Sequence, residues 1–169
     1  MTRPFTLLAL TVLFLLGTVT AQTQMGAWRY EESIDLFTDQ DDSWAYTIVH
    51  DAPSYADGAG VTLFCGPGTF NGVVIGFFLD DYMGSGDTAD VTYRVDGGTP
   101  VEMPWMLIED TVYISPSHFG YQERVYNEWL DASLLIFRAS TRLGANTYQV
   151  RIDGLREVVE RLNCSPSDF

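Results

Sequence analysis

Residues 91–105 read Val-Thr-Tyr-Arg-Val-Asp-Gly-Gly-Thr-Pro-Val-Glu-Met-Pro-Trp. Val91, Tyr93 and Val95 alternate with Thr92 and Arg94, the period-two pattern of a strand with one buried face. Asp96-Gly97-Gly98 then supplies tight-turn chemistry, and the chain returns through Pro100 to Trp105. This stretch predicts an antiparallel hairpin, and shorter versions of the same pattern recur on both sides of it. Trp44, Tyr46 and Ile48 alternate with Ala45, Thr47 and Val49. Val61, Leu63 and Cys65 alternate with Thr62 and Phe64, which turns the cysteine inward. Residues 69–78 are almost continuously apolar or small and fit a mid-sheet strand covered on both faces, with Gly72 and Gly76 as bulges or close approaches. Residues 110–114 form a further short strand, and residues 134–138 and 148–152 form a last pair with Gly144-Ala145-Asn146 turning between them.

Two helices interrupt the strands. Tyr121, Val125 and Trp129 recur at intervals of four, with Glu123, Arg124 and Glu128 between them. Near the end, Leu155, Val158, Val159 and Leu162 occupy i, i+3, i+4 and i+7, and Glu157 precedes Arg161 at the favourable i,i+4 spacing. The fold class is therefore α+β and mainly antiparallel β. We expect a sandwich or curled sheet of about seven to nine strands, carrying a short internal helix and a C-terminal helix.

Met1 to Ala21 has one charge at Arg3, an apolar run, and small residues at Val19-Thr20-Ala21, the pattern of a cleavable signal peptide. Removing 21 of 169 residues leaves a single domain of 148, residues 22–169, and takes the formal charge from −14 to −15. No other apolar run approaches a membrane span, so the mature chain is expected to be soluble, in the periplasm or outside the cell. This acidity disfavours nucleic acid and anionic lipid as partners. All nine basic residues are arginines, so P-loop phosphate binding and lysine Schiff-base or Ser-Lys chemistry are excluded.

Cys65 and Cys164 are the only cysteines, and export makes one disulfide between them the expected state. It closes a loop of roughly 100 residues, for which the chain-entropy picture gives about 4–5 kcal/mol. The bridge would clamp the last helix onto the sheet. Two distant cysteines and two histidines lack metal-ligand spacing, and no cofactor is implied.

Several of these features occur in a fixed order. Trp28 lies near the mature N-terminus, Ser33-Ile34 precede an acidic turn at Asp41-Asp42-Ser43, and a strand ends at Cys65. Val91-Thr92-Tyr93-Arg94-Val95-Asp96 follows, then Gly154-Leu155 opens a helix running into Cys164. The chain thereby resembles the secreted bacterial family typified by VasI, an accessory protein associated with type VI secretion loci, over most of residues 28–164. It departs from that pattern in the acidic insertion at residues 36–40 and in the aromatic-rich segment 105–119. The resemblance implies a periplasmic, non-enzymatic accessory protein and brings no catalytic residues.

Asp39, Asp41 and Asp42 with Ser43 could offer oxygen ligands to calcium, but the spacing is not that of an EF-hand and a solvated turn or cap is the leading reading. Asp80-Asp81 and Gly84-Ser85-Gly86-Asp87 form a second oxygen-rich turn. Carboxylate pairs such as Glu109 with Asp110, or Asp80 with Glu102, admit glycosidase chemistry, yet among 23 acids nothing in the spacing selects a pair. His50, His118 and Ser85 do not form a recognisable nucleophile motif. The aromatic residues are too numerous all to be core, and Trp28, Tyr82, Trp105 and Tyr113 are candidates for interaction. We therefore expect an interaction module docking on an envelope or secretion-complex protein, with glycan binding through aromatics and carboxylates as the alternative. A flat apolar patch argues for a protein partner, whereas two rings lining a groove beside acids argue for a sugar.

Overall fold

The structure is a computed structural model and describes residues 22–37, 39, 41–49, 58–66, 72–79, 88–108, 111–113, 119–141 and 144–164. The expected signal peptide, Tyr82, the 80–87 turn, Glu109, Asp110 and both histidines lie outside the described residues.

Ten strands form one antiparallel sheet. They are β1 (Gln22–Met25), β2 (Trp28–Glu31), β3 (Trp44–Ile48), β4 (Gly60–Cys65), β5 (Val73–Phe78), β6 (Thr88–Val95), β7 (Val101–Ile108), β8 (Thr111–Tyr113), β9 (Leu134–Thr141) and β10 (Gly144–Arg151). Helix α1 (Phe119–Trp129) lies between β8 and β9, and α2 (Leu155–Leu162) follows β10. The spatial order is β1-β2-β3-β4-β5-β8-β7-β6-β9-β10, so the sheet is open, with β1 and β10 at its edges. The hairpin at residues 91–105 forms as the sequence dictates. Asp96 and Gly97 both take positive φ (48° and 74°), and the Gly98 N–H donates to the Val95 carbonyl at 2.8 Å. The Asp96 carboxylate also accepts the N–H groups of Ser133 (3.0 Å) and Leu134 (2.9 Å), tying this turn to the entry of β9.

Alternation places Val61, Leu63, Ile75, Phe77, Val91, Tyr93, Met103, Trp105, Leu107, Val112, Leu135 and Phe137 on one buried face. That face curls around Phe77, whose ring stacks on Phe137 (3.9 Å between centroids) and Trp105 (4.7 Å) and meets Trp129 of α1 at 5.6 Å. The contacts bring β5, β7, β9 and α1 to one point, giving a sandwich-like interior from a single sheet.

Curling also brings the N-terminal strands of the sheet against the end of β10. The Ala27 N–H donates to the Asp153 carbonyl at 2.9 Å, and the Trp28 indole N–H to the Ile152 carbonyl at 3.1 Å. The Thr47 hydroxyl donates to the Arg151 carbonyl at 2.9 Å. The two turns meet at glycines: a Cβ on Gly26 would sit 2.3 Å from the Asp153 carbonyl oxygen, and one on Gly154 2.7 Å from that of Met25.

Four expectations need correction. The N-terminal hairpin β1–β2, whose short polar strand gives little periodic signal, raises the strand count to ten. Strand β10 already starts at Gly144, so Gly144-Ala145-Asn146 pair with β9. In α1 the buried stripe is Gln122, Val125 and Trp129, while Tyr121 is 41% exposed, because the helix turns its i+1 face to the sheet. Arg161 leaves Glu157 and reaches Glu32 at 3.6 Å, where it also lies over the Tyr30 ring. Helix α2 otherwise spans the predicted residues and buries Leu155, Val158 and Leu162.

Two predictions follow from the closure and from the α1 contact. Gly26→Ala and Gly154→Ala each combine left-handed backbone with a Cβ against a carbonyl and should lose about 2 kcal/mol or more in urea unfolding. Gly97→Ala, at φ 74° with no atom within 4 Å, should lose only about 1 kcal/mol, and equal losses would show that the turn contact contributes nothing. The Tyr93 hydroxyl donates to Glu128 Oε2 at 2.8 Å, and Arg124 Nε donates to Glu128 Oε1 at 2.7 Å. Burial, and then the bond to the Glu128 carboxylate, push the Tyr93 pKa well above its ordinary value. The unfolded chain releases that proton near pH 10 while the folded chain keeps it, so stability should fall as pH rises beyond about 10. Tyr93→Phe should flatten that part of a stability-against-pH curve.

Candidate functional site

The face of β3, β4, β5 and β8 that points away from the core is aromatic instead of solvated. Register places Trp44, Phe64 and Val74 in one cross-strand row, and Tyr46, Thr62, Gly76 and Tyr113 in the next. Trp44 and Tyr46 stack at 4.9 Å, and Phe64 meets Tyr113 edge to face at 5.8 Å. Glycines make room for these rings. A Cβ at Gly76 would sit 3.0 Å from the Tyr113 ring and 3.1 Å from the Thr62 methyl, and one at Gly60 2.5 Å from the Phe78 ring.

Between the rings and the chain entering β3 lies a cleft of about 330 Å³, lined by Asp41, Asp42, Ser43, Trp44, Thr62, Phe64, Cys65 and Tyr113. Its acidic lip is held by local bonds. Ser43 is buried; its hydroxyl accepts the Ser33 N–H at 3.1 Å, and its own N–H donates to Asp41 Oδ1 at 2.9 Å. The Asp42 N–H donates to the Ser33 carbonyl at 2.9 Å, and Ile34 bridges to Asp41. Among the described residues neither the Asp41 nor the Asp42 carboxylate is paired with an arginine.

The same bonds close the base of an excursion between β2 and β3. Ile34, Leu36 and Phe37 on it are 48%, 90% and 100% exposed. The Asp35 side chain accepts the Phe37 N–H at 2.7 Å, and the Asp39 N–H donates to the Asp35 carbonyl at 2.8 Å. An acidic turn thus presents two large apolar side chains to solvent beside the cleft.

The predicted site residues separate on this geometry. Tyr113 lines the cleft. Trp28 and Trp105 are corrected as interaction residues: they are 0% and 1% exposed, the first bonded to the Ile152 carbonyl and the second stacked on Phe77. Among the described residues no group of three or more His, Cys, Asp or Glu is placed to hold a metal ion, so Asp39, Asp41 and Asp42 do not converge as a calcium ligand set. Glu102 is exposed on β7. Trp44 and Phe64 escaped selection, although the alternation that turned Val61, Leu63 and Cys65 inward already put Phe64 on the outer face.

Cys65 and Cys164 form the expected disulfide, with Cα atoms 5.3 Å apart, joining the second residue beyond α2 to the end of β4. Among the described residues no helix is long and apolar enough to cross a membrane. No protein-family model matches the chain, and no curated protein or solved structure matches it.

The bridge closes a long loop, and its Cys65 lines the cleft. Replacing both cysteines by alanine should lower unfolding free energy by about 3–5 kcal/mol, measured by denaturant titration. A loss below about 1 kcal/mol would mean that the α2 end is held by packing alone.

Proposed function

We propose that this chain is an exported, non-enzymatic interaction module that docks on an envelope or secretion-complex protein, the role its resemblance to the VasI-like family implies. The observation that supports this reading most directly is the apolar tip at Leu36 and Phe37. Full burial of a Leu or Phe side chain contributes roughly 1.5–3 kcal/mol each, a gain open to these two only on association. The acidic residues Asp35, Asp39, Asp41 and Asp42 around the tip favour a partner with basic residues around an apolar pocket and disfavour an anionic membrane. The disulfide accords with export to an oxidising compartment.

A second reading has an observation of its own. Trp44, Phe64 and Tyr113 with Asp41 and Asp42 meet the arrangement of rings beside acids set out above for a sugar. The tip is a projecting knob with no evident use in sugar stacking, and for that reason docking is preferred.

Affinity capture of the tagged protein from its own cell envelope, run beside a Leu36→Ser/Phe37→Ser variant, separates the two. Docking predicts recovery of a defined envelope or secretion-complex subunit by the native chain, and at least about tenfold less by the variant, whose stability should change by less than about 0.5 kcal/mol. Equal recovery by both chains, or recovery of polysaccharide alone, would overturn it.

A further inference from the structure

The cleft beside the apolar tip has a lining whose parts point to one chemical class. Three rings form its walls, and two carboxylates without an arginine partner among the described residues form its lip. Aromatic faces attract cations through their quadrupole, and carboxylates do so by charge. The same sheet face already uses the first attraction within the chain: Arg29 of β2 lies over the Tyr46 ring at 5.9 Å, and Tyr46 stacks directly on Trp44. The stack of rings therefore carries an internal guanidinium over Tyr46, and its Trp44 lines the acidic cleft.

We infer that this cleft receives an organic cation, specifically an arginine or lysine side chain presented by the docking partner. Charge complementarity decides the occupant. A sugar stacked on Trp44 offers Asp41 and Asp42 only neutral hydroxyl donors, whereas a guanidinium donates charged N–H groups to both carboxylates while its plane lies on a ring. Size agrees, because about 330 Å³ lies at the small end of ligand pockets and takes one side chain or one sugar ring, not an extended oligosaccharide. The chain's excess of 23 acids over 9 arginines adds a long-range field of the same sign. Asp41 is already oriented through Ser43, so the lip is arranged before the cation arrives.

This inference rests on the docking reading, but its test needs no partner. N-acetyl-argininamide is titrated into the isotope-labelled protein, with N-acetyl-citrullinamide as the neutral isostere and methyl glucoside as the sugar. The expected result is saturable shifts at Trp44, Phe64 and Tyr113 with argininamide, at a dissociation constant of roughly 1–10 mM. Citrullinamide should bind at least about tenfold more weakly. Asp41→Asn/Asp42→Asn keeps the backbone-capping oxygens and should weaken argininamide by a similar factor. Trp44→Leu should weaken it too while leaving the lip in place. Equal binding of argininamide and citrullinamide, tighter binding of the glucoside, or no shift at these three residues overturns the proposal. Capture that depends on Leu36 and Phe37 without cation binding would sink the cleft assignment alone. Cation binding with capture indifferent to the tip would sink the docking reading alone.

Discussion

A ten-stranded sheet with one apolar face has to curl until that face covers itself, and here the curl is held where its two ends touch. The turn at Gly26 and the turn at Gly154 pack backbone against backbone, at a separation that leaves no space for a Cβ on either side. Three hydrogen bonds from Ala27, Trp28 and Thr47 to the 151–153 carbonyls lock the same seam. The interior depends on it, because Phe77 of β5 reaches Phe137 of β9 only when the halves of the sheet are folded over each other. The disulfide acts on a neighbouring part of the closure. It fixes the end of α2 to β4, so the helix that covers the interior cannot leave without opening a loop of 99 residues in sequence separation.

The curl gives the two faces of β3–β5 different tasks. Ala45, Leu63 and Ile75 satisfy the core, so the residues between them are released from packing duty. On an ordinary half-buried sheet those positions are polar; here they are Trp44, Phe64 and, across Gly76, Tyr113. Glycine at 60 and 76 sacrifices strand propensity to let rings from neighbouring strands lie flat, an arrangement with no benefit to the core. The edges are treated more conventionally. Strand β1 is four residues long and mostly polar, and β10 begins with Gly144 and exposed polar side chains, features that discourage strand addition. Association through the sheet edges is therefore blunted, while Leu36 and Phe37 stay exposed.

The strands were legible wherever alternation was strict, as in 91–95, 44–48 and 61–65, because a period of two leaves only one face for the core. Cys65 and Cys164 were legible for a different reason, since two cysteines leave one pairing available within the chain. What sequence could not carry was the meeting of distant segments. Trp28 and Trp105 look like surface anchors by residue type, yet Trp28 faces a carbonyl 124 residues away and Trp105 faces Phe77. The same limit explains the missed cleft. Trp44 and Phe64 belong together only through the β3–β4 register, and Tyr113 joins them only because β8 inserts next to β5 out of sequence order.

On the docking reading proposed above, tip and cleft would take different thermodynamic parts. Leu36 and Phe37 stand almost wholly in solvent, so their association is driven by apolar area and is indifferent to sequence detail beyond the presence of a pocket. Asp41 and Asp42, with rings behind them, add little area, but they penalise any partner that places a neutral or acidic group opposite them. A strongly acidic chain that docked by its apolar tip alone would have no means of choosing among apolar pockets. On the same reading, an acidic lip held by Ser33 and Ser43 at the base of the same excursion would supply that choice, because tip and lip belong to one short excursion between β2 and β3.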